Sequence, residues 1–480
     1  MTAGVAAGHP TTTEVGLRIL AAGGTAGDAA VAAVLASCVA ETVLTGLGGG
    51  GYATYFSAAT GTVTCLDFFC TVPGTDPDPD HRARPMRPVE ISFGGVPLAF
   101  SIGGATVAVP GVPAGLGELH RRFGRLPWYE VVAPSISLAR SGVSLPAAQA
   151  GTLAAVAAAL LPGDGAQVYA PGGRLLGGGE LLHHPGLDAA LTLLAEYGPR
   201  AYYTGDLAAA LVGAVRDDGG TLGWQDLASY RVLEQPVVAA TVAGHTVHGR
   251  RDLNQTVAAL ASLPPTLTKL SPDERAVALA DAMVSHGPQL FGCTTNLAVV
   301  DEAGDACVVT TTLGVGSGIW VPGTGIHLNS MLGESELMAP DLHPGDRVPS
   351  NMCPLVVVDA DGGLALAAGS AGASRIRSAL VHTLVNVLVD AADVPEAVAR
   401  PRFHVVADPS GRPLVHAEAG YPESQLAALA AAGYQINRWD HLSHYCGGVS
   451  AVGRAGAAGD PRRSGVGALT GHRCTATART

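Results

Sequence analysis

The sequence predicts an α+β protein, and three observations carry that reading. Apolar runs pair around short polar or glycine turns, the mark of antiparallel hairpins. Other stretches show helical periodicity and close at glycines. The chain of 480 residues is 48% hydrophobic and only 14% charged, ample for a large core built as more than one compact unit. Composition also narrows the partners. Net charge is −12 and no basic stripe is present, so nucleic acid is not an expected partner. The cysteines (Cys38, Cys65, Cys70, Cys293, Cys307, Cys353, Cys446 and Cys474) form no CxxC pair. Neither a zinc framework nor a dithiol site is expected, and nothing points to a metal or an organic cofactor. Met1 to Pro10 lacks a Lys/Arg stretch followed by an apolar core, and the Ala-rich run Ala29–Ala40 is too short for a membrane span. The expectation is a cytoplasmic protein with no membrane partner.

The elements follow in order. Thr11 to Ala22 is helical, with Val15, Leu17, Ile19 and Leu20 on an apolar side and Gly23-Gly24 closing it. A second helix, Gly27 to Ala40, carries Asp28 in its first turn and reads as buried. The glycine loop Thr45 to Gly51 leads into strand Tyr52–Phe56. Such a loop serves either close backbone approach to a ligand or tight packing against the chain. A phosphate cradle does not fit, because no Lys-Ser/Thr follows and the loop precedes a strand. Thr62 to Phe69 completes a hairpin around Ala59-Thr60-Gly61, and Asp76 to Asp80 is a solvated loop. Ala105 to Val109 reads as a strand ending at Pro110-Gly111. Helices are expected at Ala114–Phe123, Trp128–Ser141, Ala147–Ala159, across Leu187–Gly220 with a break at Gly198-Pro199, and at Ser271–His286. Pro236 to His248 alternates as a strand pair around Gly244.

Further on, Thr294 to Val300 and Ala306 to Thr312 form strand, turn, strand around Asp301–Asp305. A glycine turn, Gly314–Gly318, precedes strand Ile319–Val321, and a proline-punctuated loop runs from Met338 to Val348. Leu355–Asp359 pairs with Leu364–Ala368. Gly369 to Arg375 then feeds a long helix, Ile376–Asp390. A small-residue loop at a helix N-terminus presents free N–H groups to an oxyanion, or is simply a strand-to-helix turn. His441 to Cys446 lacks partner ligands at metal spacing and reads as structural, and the tail from Gly471 reads as disordered.

Several blocks recur in a set order. They are Gly23–Ala30 (GGTAGDAA), Gly46–Gly51 (GLGGGG), Leu66-Asp67-Phe68, Val109-Pro110-Gly111, Asp226–Tyr230 (DLASY), Thr294-Thr295-Asn296, Gly323–Ile326 with Leu328-Asn329, Ser350-Asn351-Met352, Gly369–Arg375 (GSAGASR) and Gly459–Arg463 (GDPRR). Together they resemble the gamma-glutamyltranspeptidase family of N-terminal-nucleophile hydrolases, over most of the chain.

The resemblance implies a four-layer αββα sandwich. It also implies self-cleavage between Cys293 and Thr294, leaving a large piece (residues 1–293) and a small one (residues 294–480) that stay associated. Thr294 is then the nucleophile. Its new α-amine titrates near pH ~8 and can act as base for its own hydroxyl, so no histidine is needed. By the same resemblance, Thr312 orients the nucleophile and the backbone of Gly372 and Ala373 receives the oxyanion. Ser350, Asn351 and Glu334 contact a small-molecule substrate, with Glu334 where an aspartate holds its amine. Ala373 stands at a family glycine, so a positive φ there is strained.

The departures concern the substrate. Phe69 occupies the place of the arginine that grips the glutamyl α-carboxylate, and Met331 replaces a glutamine near the amine. Losing a buried Arg–carboxylate contact costs about 2–5 kcal/mol, or roughly thirty-fold to several thousand-fold in affinity. The family's PPPSSGG block after His248 is absent, and the segment from Arg250 to Gly292 is abbreviated. These changes point to a substrate other than glutathione, with a flatter or less charged acyl group. Some family members serve antibiotic pathways by cleaving a C–C bond in alkylproline precursors, and the departures here are similar in kind. Two alternatives stand beside this reading. One is a standard γ-glutamyl hydrolase or transpeptidase with Arg82, Arg84 or Arg375 replacing the missing arginine. The other is a non-catalytic homologue.

Overall fold

The computed structural model describes residues 2–76, 84–93, 96–284, 293–334, 337, 341–408 and 410–471. Two antiparallel sheets lie face to face. The first orders strands Val466–Leu469, Gly4–Ala7, Thr295–Val300, Ala306–Thr312, Gly50–Ser57, Thr62–Phe68 and Leu233–Gln235. The second orders Gly456–Gly459, Gly448–Gly453, Leu364–Ala371, Leu355–Val358, His245–Arg250 and Val237–Val242. Helix Ala26–Ala40 covers the outer face of the first sheet and helix Arg375–Leu388 that of the second, which makes the expected αββα sandwich.

Side-chain alternation divides the core. Leu297 and Val299 join the cluster under helix Ala26–Ala40, whereas Ala298 and Val300 face the opposite sheet. The partner strand does the same, with Cys307 and Val309 towards the helix and Ala306 and Val308 between the sheets. Alanines at 6, 298, 306, 367 and 457 fill much of the inter-sheet layer and let the sheets close. Every residue of helix Ala26–Ala40 is buried, which accounts for its uninterrupted apolar run. Its start is a capping box: Thr25 Oγ1 accepts from the Asp28 N–H and Asp28 accepts from the Thr25 N–H.

The glycine loop resolves in favour of packing. A β-carbon on Gly49 would fall 2.2 Å from the Thr312 carbonyl oxygen, and one on Gly48 2.2 Å from that of His327. The loop is glycine-rich because the end of the Thr312 strand passes directly over it.

Two expectations change. Ala105–Val109 is not a strand. Gly104–Thr106 is a 3-10 turn, closed by Thr106 Oγ1 donating to the Gly103 carbonyl at 2.7 Å. The Asn329 amide replaces a neighbouring strand, accepting from the Ala108 N–H at 3.0 Å and donating to its carbonyl at 2.8 Å. A hairpin, Arg87–Phe93 with Val96–Ile102, appears where none was expected. The Ser271–His286 helix is seen as Pro272–Val284. Pro77–Asp80, Gly292, Met338–Pro340 and the tail beyond Gly471 lie outside the described residues. Among the described residues no helix is long and apolar enough to cross a membrane, and no cluster of His, Cys, Asp or Glu could hold a metal ion.

Candidate active site

The sheet register sets up the centre of the site. Strand Thr295–Val300 pairs with Ala306–Thr312 from Thr295–Thr311 to Val300–Ala306, which leaves Thr294 and Thr312 side by side at one end. Thr312 Oγ1 donates to the carbonyl oxygen of Cys293, in the peptide that joins Cys293 to Thr294. The same hydroxyl accepts from the Gly314 N–H at 2.8 Å, which fixes the direction of its proton. Burial pushes the Cys293 thiol up to about 12, so it stays protonated.

Two distant residues hold the peptide on the other side of Thr294. Arg463 Nη1 donates to the Thr294 carbonyl at 3.0 Å. The fully buried Glu41, at the C-terminal end of helix Ala26–Ala40, accepts from Thr295 Oγ1, and from Thr12 Oγ1 at 2.7 Å. Burial lifts the Glu41 carboxyl to about 7.

A cavity of about 30 Å³, enough for one water, opens beside Thr294. Of the residues singled out in the sequence, Phe69, Cys293, Thr294, Thr312, Met331, Glu334, Ser350, Asn351 and Ala373 line it. Gly372 does not, and stands one residue behind Ala373. Leu337, Met352 and Ile376 complete an apolar wall. Larger clefts lie elsewhere. One of about 840 Å³ beside Trp128, Tyr203 and Tyr230 gathers none of these residues and offers no comparable nucleophile.

The loop before helix Arg375–Leu388 is shorter than the sequence suggested, because strand Leu364–Ala371 takes up Gly369–Ala371. Gly372 has φ 122° and Ala373 φ 51°. A residue with a β-carbon at that φ costs on the order of 1 kcal/mol or more.

Phe69 is fully buried and stacks on Tyr52 with ring centroids 5.5 Å apart. Arg250 lies 3.8 Å over the Tyr52 ring and donates to the Met352 carbonyl at 2.7 Å. Arg347 donates to the Phe69 carbonyl at 2.6 Å. These cations support the wall from behind, and among the described residues no arginine or lysine lines the cavity. Arg84 is 62% exposed and pairs with Asp218. Arg375 sits over the Tyr445 ring and donates to the Tyr445 carbonyl at 3.1 Å. Arg82 lies outside the described residues.

The Gamma-glutamyltranspeptidase family model matches residues 12–286 and 285–470. The chain belongs to that family. It is an enzyme of the N-terminal-nucleophile hydrolase class. An "Acylase ACY 1 proenzyme" from Pseudomonas sp. (strain V22) is 29% identical over 515 residues, covering 93% of this chain and 89% of the relative. "Glutathione hydrolase proenzyme 1" of Schizosaccharomyces pombe is 26% identical, covering 83% and 74%. In fold, the crystal structure of a cephalosporin acylase from Bacillus halodurans superposes with a TM-score of 0.78 at 22% identity, over 98% of this chain and 96% of that one.

Glu41, Arg463 and Arg250 were not singled out in the sequence as site residues. Glu41 is 254 residues from Thr295 and Arg463 is 169 from Thr294. No local pattern signals contacts that only the folded sheets create.

Proposed function

We propose that this gamma-glutamyltranspeptidase-family member is a self-processing acyl hydrolase that uses Thr294 on a small molecule other than glutathione. The observation that carries the reading is the Thr312 hydroxyl on the Cys293 carbonyl. If Thr294 Oγ attacks the Cys293 carbonyl carbon, negative charge develops on the oxygen to which Thr312 already donates. The peptide C–N bond breaks, the nitrogen takes a proton, and an ester forms. Water then hydrolyses the ester, leaving a carboxylate on Cys293 and a free amine on Thr294. Residues 1–293 and 294–480 become two associated pieces.

In turnover the amine takes the proton of its own hydroxyl, and Thr294 Oγ attacks the substrate carbonyl. The N–H groups at Gly372 and Ala373 receive the oxyanion. The leaving group departs with a proton, and water releases the acyl group from Thr294.

The cavity wall supports the substrate class. Glu334 is a buried carboxylate suited to an amine, Ser350 and Asn351 add hydrogen-bonding groups, and the rest is apolar. A free α-carboxylate would meet no cation among the described residues of the wall, which disfavours a γ-glutamyl donor. Among such substrates, an alkylproline precursor cleaved at a C–C bond in antibiotic biosynthesis is the specific version we favour. The acylase relative supports acyl-bond hydrolysis beyond glutathione.

The test is a panel of p-nitroanilides, γ-glutamyl against 4-aminobutanoyl, with mass spectrometry of the adduct on Thr294. Preference for the donor without the carboxylate, trapped on Thr294, is expected. Turnover of the γ-glutamyl compound as the better substrate would sink the substrate reading.

A further inference from the structure

Ala373 occupies left-handed backbone that a residue with a β-carbon adopts only when its surroundings over-determine it. Part of that constraint is local. The first turn of helix Arg375–Leu388 gives the Arg375 N–H to the Gly372 carbonyl at 3.0 Å and the Ile376 N–H to the Ala373 carbonyl at 3.0 Å. The other part comes from 119 residues away, where Asn254 Nδ2 donates to the same Ala373 carbonyl at 3.0 Å. Asn254 is fully buried, and its own carbonyl accepts from the fully buried Arg377 at 3.0 Å.

The loop that carries Asn254 is strapped in place. Asp252 accepts from the Thr256 N–H at 2.8 Å and from the Thr256 hydroxyl at 2.7 Å. The Leu253 N–H donates to the Ser350 carbonyl at 3.0 Å. One short loop is therefore bonded both to the oxyanion loop and to the segment that brings Ser350 and Asn351 to the cavity.

We infer that Asn254 is a positioning residue for the oxyanion site: its bond to the Ala373 carbonyl fixes the Ala373–Ser374 peptide and, through the left-handed backbone of Ala373, the preceding peptide, whose N–H faces the charge that forms above Thr294. The inference rests on Thr294 being the nucleophile. The side-chain bond is made before the reaction, so the N–H needs no reorientation when charge appears. Without Asn254 the Ala373 carbonyl keeps the Ile376 N–H. The helix start then survives, while the peptide gains freedom to swing.

The experiment is steady-state kinetics of Asn254→Ala on the best p-nitroanilide of the panel, alongside inhibition by an alkyl boronic acid, which forms a tetrahedral adduct on a hydroxyl nucleophile. A fall in kcat of about ten- to a hundred-fold is expected, with KM within about two-fold. Boronate affinity falls with kcat. An unchanged kcat, or a lower kcat with undiminished boronate affinity, overturns the inference. If Asn254→Ala does not mature, Asn254→Ser, which keeps a short donor, must mature with an intermediate kcat. An uncut serine variant also overturns it. Thr294→Ala separates the two levels. If it still turns over substrate, the nucleophile assignment has failed. If it is inert while Asn254→Ala keeps its kcat, only the present inference has.

Discussion

Thr294 and Thr312 stand at the ends of neighbouring strands whose register is unbroken from Thr295–Thr311 to Val300–Ala306. Phe69, Met331, Glu334, Ser350 and Asn351 stand outside the strands, in turns and connecting segments. The two halves of one cavity are thus held by different means. A one-residue slip in the paired strands would turn Thr294 and every core side chain of its strand to the wrong face. A segment outside the ladder can exchange a side chain without that cost. On the proposed function, the difference explains how a chain can keep its reacting hydroxyls in place while the residues around the acyl group change, as at Phe69 and Met331.

The largest expected effect breaks the strand side. Thr294→Ala leaves one uncut polypeptide on a denaturing gel, and turnover falls by about 10⁴-fold or more. Two bands from that variant would remove the basis of the comparison. Thr312→Val keeps the shape but loses the donor on the Cys293 carbonyl. Its half-time of cleavage lengthens by about 10²–10³-fold, read from gel time courses. Cleavage at the parent rate would show that Thr312 is only a strand residue.

On the other side of the cavity, Phe69→Arg restores a cation to the wall. The ratio of kcat/KM for the γ-glutamyl p-nitroanilide to that for the 4-aminobutanoyl compound rises about thirty-fold, corresponding to ~2 kcal/mol. No change in the ratio would mean that acyl preference is set elsewhere.

The smallest effect concerns Glu41, which ties the nucleophile strand to helix Ala26–Ala40. Burial raises its carboxyl from the ordinary 4.5 to about 7, against the pull of its Thr295 and Thr12 hydrogen bonds and the Arg463 charge. A carboxyl with a raised folded pKa holds its proton more tightly in the folded protein. Its contribution to stability is whole below about 4.5 and is lost as the pH rises through about 7. In the uncut Thr294→Ala protein, the Tm difference between Glu41→Gln and its parent should shift towards the glutamine variant by a few degrees over that interval. A difference independent of pH would show that Glu41 does not titrate there.

What could be read in the sequence follows the same division. The strand pair around Asp301–Asp305 and the buried helix Ala26–Ala40 were legible, because period and turn chemistry are local. The residues lining the cavity were legible only as a family resemblance, since they come from segments far apart in the chain. Ala105–Val109 misled because its strand-like pairing stops at an isolated bridge from Val109 to Thr71, while Ala108 is held by the Asn329 side chain 221 residues away. Asn254 carried no signal at all: its value lies in reaching a carbonyl whose position depends on the rest of the second sheet.

Consider finally the order of strands in the first sheet. Gly4–Ala7 lies between Val466–Leu469 and Thr295–Val300, and Ala306–Thr312 is followed by Gly50–Ser57. Sequences on either side of residue 293 therefore interleave like the fingers of two hands. Cutting the backbone at that point frees an end without loosening the grasp. Parting the products would mean tearing several ladders at once, so two fragments made as separate polypeptides should find a native shape only in each other's company.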